Sequence, residues 1–122
     1  MEDQDRKEEK GFAHERLDAY KAAIEHFGIV QQARKEVAAG SANLLDQLDR
    51  ASESIVLNIA EGCGKKRFSR DRAKYYRIAS ASAAECAAAW DLLSIRCNAI
   101  CAGARCGKQL CIRIAMMLSK MG

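Results

Sequence analysis

The chain has 122 residues, 49% apolar and 30% charged, with six cysteines and no proline. That length holds one modest core, and that apolar fraction excludes disorder along most of the chain. The balance of charge is +4, too even to mark the whole chain as a polycation.

In chain order, residues 1–11 read as a charged, disordered tail, and residues 12–122 read as one domain. The acidic start is the opposite of a secretion signal's basic, then apolar, opening. No apolar run approaches the roughly eighteen residues that a membrane span needs. The expected location is therefore the cytoplasm, with no membrane contact. Abundant alanine without proline favours long helices, because alanine loses no side-chain entropy there and proline would break them.

Spacing predicts four helices. The first covers about Phe12 to Val37, with Leu17, Tyr20, Ile24 and Phe27 on one face and Val30, Ala33 and Val37 continuing it. Ala39 to Asn43 supplies a stop and a new N-cap. In the second, Leu44, Leu48, Ala51, Ile55 and Ile59 make one stripe, and Gly62 and Gly64 end it. The third runs from Ser69, its N-cap, to about Cys97. One of Tyr75 and Tyr76 joins Ala79, Ala83, Cys86, Trp90, Leu93 and Cys97 on its core face. Its small middle lets a neighbour approach closely, with Trp90 filling the wider space beyond. A break at Ala102 to Arg105 precedes the fourth helix, whose stripe is Leu110, Ile114, Met117 and Met121. Short connections between amphipathic helices imply antiparallel neighbours, so the fold class is all-α, an antiparallel up-down four-helix bundle.

Chemistry is sparse. The cysteines, Cys63, Cys86, Cys97, Cys101, Cys106 and Cys111, show no C-x2-C pair, so they read as small core residues rather than a zinc knuckle. Cys97 and Cys101, one helical turn apart, form the pair to consider for metal or redox work. His14 and His26 are too far apart on one helix to share an ion. No Glu-x-x-His pair, catalytic triad or phosphate loop on a strand is present. The expectation is no enzyme, no metal and no cofactor.

Two polar features remain. Arg50, Ser54 and Asn58 recur every fourth residue beside the apolar row of the second helix, and Glu61 follows. With Ser82 and Glu85 of the third helix they predict a buried network fixing register, with Arg50 opposite a carboxylate. The second feature is charge: residues 62–77 carry +6, and residues 92–122 carry +5 without any acid. Lys65, Lys66, Arg67, Arg70, Lys74 and Arg77, together with Arg105, Lys108 and Arg113, are candidates for phosphate contact, with an exposed tyrosine to stack on a base. A basic pole built from both segments points to RNA or DNA. The rival readings are a protein-interaction module and a metal-binding bundle using cysteines.

The segment from Arg50 to Gly62 fits R-x-x-x-S-I-x-x-N-I-x-E-G, followed by a basic loop and the Ser82-x-x-Glu85 step. In this it resembles the four-helix bundle family of 23S rRNA intervening-sequence proteins. It is similar also to the accessory variability proteins of diversity-generating retroelements. The resemblance implies an antiparallel bundle assembled as a homopentamer with a basic surface. For the retroelement relatives it further implies a reverse-transcriptase partner and nucleic acid. It assigns no activity, and the chain departs from the pattern in its cysteine-rich end.

Overall fold

The computed structural model describes residues 12–36, 41–97 and 102–121. They form a 3₁₀ turn, Ala13–Arg16, and four helices: α1 (Asp18–Glu36), α2 (Ala42–Cys63), α3 (Arg70–Arg96) and α4 (Ala102–Ser119). No strand occurs among the described residues. Helix α2 packs on α3, α3 on α4, and α1 on both α2 and α4, which closes a ring.

Cross-helix contacts fix the directions. Gln31 of α1 bonds Asp49 of α2, while the earlier His26 meets the later Ser52. Ser54 of α2 meets Ser82 of α3, while the later Gly62 abuts the earlier Tyr76. Asp91 of α3 pairs with Lys108 of α4, while the earlier Cys86 lies by the later Cys111; Ile29 of α1 lies by Gly103 of α4, while the earlier His26 meets the later Cys111. Neighbours run in opposite directions, as short connections require, and the result is the all-α bundle expected from spacing.

The stripes of α2 and α3 lie where their periodicity puts them. Leu44, Leu48, Ala51, Ile55 and Ile59 are buried, as are Tyr76, Ala79, Ala83, Cys86, Trp90 and Leu93. Tyr76 is thus the core tyrosine. In α4, Leu110 and Ile114 are buried, joined by Ala104, Cys111 and Leu118, while Met117 and Met121 border the core. Ala102 to Arg105 is not a break: the helix already begins at Ala102.

Helix α1 keeps Val30 and Ala33 of its predicted face in the core but turns the first half of that face aside. Its buried residues are Ala19, Ala22, Ala23, His26, Val30 and Ala33, whereas Ile24 is 46% exposed. Leu17 and Tyr20 sit at the margin. Bulk misled the reading here. Alanines let α1 approach its neighbours closely, and the larger side chains are pushed to the edges of the seam. The helix also starts later than Phe12, after the 3₁₀ turn, and Val37 lies outside the described residues.

Local chemistry accounts for the ends. Ser69 is extended, and its Oγ accepts from the Arg72 backbone N–H at 3.1 Å, capping α3. Ser41 precedes α2 without a side-chain cap; its Oγ instead lies 3.2 Å from Cys97 Sγ, joining the start of α2 to the end of α3. Gly62 does not stop α2, which continues through Cys63. It is buried because a Cβ there would sit 2.7 Å from the Tyr76 ring. Gly107 likewise admits the Trp90 indole, which would collide with a Cβ there. Gly107→Ala should therefore lower stability by about 1–3 kcal/mol through overpacking. Exposed Gly28, whose Cβ would meet nothing within 4 Å, should accept alanine with a gain of up to about 1 kcal/mol. Urea denaturation of the two variants tests the contrast.

Candidate functional site

The first candidate is the loop between α2 and α3 and the opening turns of α3. Arg72 is drawn inward from this run. Its Nε donates to Gly62 O at 3.2 Å, beside the Lys65 N–H, and its Nη2 donates to Cys63 O at 2.9 Å where α2 ends. Its guanidinium also lies 5.9 Å from the Tyr76 ring centre. Burial raises the Tyr76 phenol pKa, with Arg72 acting the other way. Lys65 is held by Glu61 at 3.2 Å, a hydrogen bond that raises its pKa. Lys66, Arg67, Arg70, Lys74 and Arg77 stand exposed.

The exposed aromatic at this end is Phe68, which the tyrosine reading missed. It is 79% exposed, at the tip of the loop. It adopts φ 63°, a left-handed conformation that disfavours a bulky side chain. Arg67 stacks over it at 4.9 Å. Tyr75 is half-buried beneath Lys65 and Lys74, at 5.6 and 5.7 Å, and Tyr76 is buried. Sequence offered one signal for Phe68: an aromatic residue inside a run of cations, between two glycines and a capping serine.

The two basic segments do not form one pole. The pairing of Lys108 with Asp91, at 2.8 Å, sets the start of α4 beside the end of α3. Residues 70 and 91 are roughly 30 Å apart along a helix axis. Arg105 and Lys108 consequently lie at the far end of the bundle from Lys65 to Arg77, with Arg113 between them. An antiparallel connection returns α4 toward the basic loop only at Lys120.

The predicted polar network is smaller than expected. Ser82 donates to Ser54 Oγ at 2.8 Å, and Asn58 Nδ2 donates to Ser54 O and Oγ at 2.8 and 3.1 Å. Arg50, Glu61 and Glu85 are exposed, so no carboxylate faces Arg50 in the bundle interior. Fourfold spacing placed the three α2 residues on one side, but the helices meet only along its inner margin.

A second cluster lies at the centre of the bundle. His26 of α1, Cys86 of α3 and Cys111 of α4 are buried, and their ligand-type atoms all lie within 4.8 Å of one another. Trp90 Nε1 donates to His26 Nε2 at 2.9 Å. An indole nitrogen can only donate, so Nε2 is the unprotonated nitrogen and Nδ1–H donates to Ser52 Oγ, 2.9 Å away. Cys111 Sγ is 3.3 Å from the same Nε2. The hydrogen bond with Cys111, together with burial, raises the Cys86 thiol pKa. The same bond lowers that of Cys111, against burial and with His26 assisting. The metal-pair reading fell on other cysteines: Cys101 lies outside the described residues, and Cys97 faces Ser41. The core reading holds for Cys86 and Cys111; Cys106 is exposed, and Cys63 and Cys97 are intermediate.

The fold is an all-α bundle with a charged loop at one end and a polar cluster in its core. The chain belongs to the 23S rRNA-intervening sequence protein family, whose model matches residues 15–120. No curated protein and no solved structure matches it. No helix among the described residues is long and apolar enough to cross a membrane.

Arg72 and its exposed neighbours differ in role, and mutation should separate them. Arg72→Ala removes the side-chain donor to Cys63 O and one of two donors to Gly62 O, and should cost about 1–3 kcal/mol in thermal or urea unfolding. Arg70→Ala should change stability by no more than about 0.5 kcal/mol.

Proposed function

We propose that this protein is a non-enzymatic adaptor that binds single-stranded RNA or DNA through the loop from Lys65 to Arg70 and the first turns of α3. The observation that carries this reading is Phe68, an exposed aromatic in a left-handed conformation flanked by Lys65, Lys66, Arg67 and Arg70. A nonpolar ring held in water at the tip of a cationic loop provides a face on which an unpaired base can stack. The surrounding cations meet the phosphates on either side. Lys74 and Arg77 extend the charged track along α3. Arg105, Lys108 and Arg113 belong to a separate face and are secondary in this reading.

Binding of a mixed-sequence single strand, followed by fluorescence anisotropy, should weaken steeply with salt. Five phosphate contacts would give a log–log slope near −3.5, about a hundredfold loss between 50 and 200 mM salt. Reversing the charges of Lys65, Lys66 and Arg67 should flatten that slope. Phe68→Gly separates binding from folding: glycine accepts the left-handed φ, so stability should hold within about 1 kcal/mol. Loss of the stacking face should cost about 1–3 kcal/mol of binding. No binding to either RNA or DNA at low salt would overturn the reading.

A specific observation also favours self-association. Ile78, Ala81, Glu85, Ala88, Leu92 and Ile95 repeat at three- and four-residue steps along the outside of α3 and are all exposed. Leu92 is 55% and Ile95 80% exposed. A seam with that spacing, apolar apart from Glu85, fits the corresponding helix of a second copy, in keeping with the homopentamer that the family resemblance implies. Leu92→Glu with Ile95→Glu should yield a monomer of unchanged helicity by light scattering. An unaltered chain that is already monomeric at tens of micromolar would count against assembly.

A further inference from the structure

The central cluster presents soft metal-ligand atoms from three different helices in a closed, apolar setting, away from the basic loop. His26, Cys86 and Cys111 are respectively 0%, 0% and 1% exposed. Their donor atoms lie within 4.8 Å of one another, and Cys111 Sγ is 3.3 Å from His26 Nε2. Metal–sulfur and metal–imidazole bonds are about 2.0–2.3 Å, so a planar three-donor site spaces its ligands roughly 3.7–4 Å apart. The observed separations, 3.3 Å for one pair and no more than 4.8 Å for any, lie within about 1 Å of that spacing.

The hydrogen bonds around the histidine suit a ligand. Nδ1–H is already committed to Ser52 Oγ, which fixes the ring and leaves Nε2 as the nitrogen with a lone pair. That lone pair accepts from the Trp90 N–H at 2.9 Å, with Cys111 Sγ 3.3 Å away. Cys86 Sγ bonds Cys111 and reaches Leu48 O at 3.9 Å, so the two sulfurs already face each other.

We propose that His26 Nε2, Cys86 Sγ and Cys111 Sγ form a three-coordinate binding site for copper(I). The ion displaces the two thiol hydrogens as protons released to solvent, with no change in oxidation state. It takes the Nε2 lone pair, and the Trp90 N–H turns to the new thiolate charge. Thiolate with imidazole is a soft donor set suited to a monovalent copper ion. Structural zinc demands a fourth ligand, and no fourth histidine, cysteine or carboxylate joins the group among the described residues.

Trp90 is the single tryptophan of the chain and reports on the site directly. In a C63S/C97S/C101S/C106S chain, anaerobic titration with copper(I) held by a competing chelator should transfer one ion per chain. Trp90 fluorescence should quench to an end point at one equivalent. C86S or C111S in that background should weaken binding about a hundredfold or more, with helical circular dichroism checked in parallel. No transfer, or undiminished transfer in a folded C86S or C111S chain, would overturn the proposal. Tighter retention of zinc than of copper(I) would overturn the choice of ion. Should the serine variants fail to fold, copper-edge X-ray absorption of the four-cysteine-replaced chain decides. A shell of two sulfurs and one nitrogen is expected, and any other first shell refutes the site.

Discussion

The hydrogen bond from Trp90 to His26 is the contact on which the interior depends. A histidine fully removed from water is tolerable only if both ring nitrogens are occupied, since an unpartnered buried polar atom costs about 1–3 kcal/mol. Trp90 of α3 occupies one nitrogen and Ser52 of α2 the other, while Cys111 of α4 closes on the same ring. Because His26 belongs to α1, one side chain draws partners from every other helix. Gly107 makes this arrangement possible by leaving room for the indole. Apolar contacts supply most of the burial, but they are tolerant of sliding. These directed bonds fix how far each helix may slide or turn.

A comparable division of labour organises the basic end. Arg72 is consumed in finishing α2, and Lys65 is partly neutralised by Glu61. The remaining cations surround a phenylalanine in a conformation that its own side chain disfavours. Helix α3 must begin at Ser69 and α2 must finish at Cys63, so the loop between them is short and turns sharply. Phe68 occupies the residue where that turn needs positive φ, and its ring is carried outward rather than onto the core.

Reading by spacing succeeded where apolar bulk and core position coincide, as in α2 and α3. In α1 it held for Val30 and Ala33 but failed earlier in the helix, where Ala19, Ala22 and Ala23 make the contact and Ile24 faces water. Alanine is ambiguous in a sequence because it favours helix equally on either face. The same ambiguity hid His26, which spacing alone ties to nothing. Its partners are 26, 64 and 85 residues away in the chain. Among the polar candidates, Ser54, Asn58 and Ser82 meet, but Arg50 and Glu85 do not. Fourfold spacing defines a side of a helix without defining how wide the contact with its neighbour will be.

The sequence by itself determined four helices, their approximate ends and the antiparallel ring, because periodicity, capping residues and the lack of proline are local properties. It also identified a charged loop, since charge is legible residue by residue. Only tertiary structure decided that the basic segments lie at opposite ends, because antiparallel pairing carries the start of α4 away from the loop. It alone brought His26, Ser52, Cys86, Trp90 and Cys111 together. Such a cluster depends on the relative rotation and register of four helices, and no spacing within any one helix encodes those.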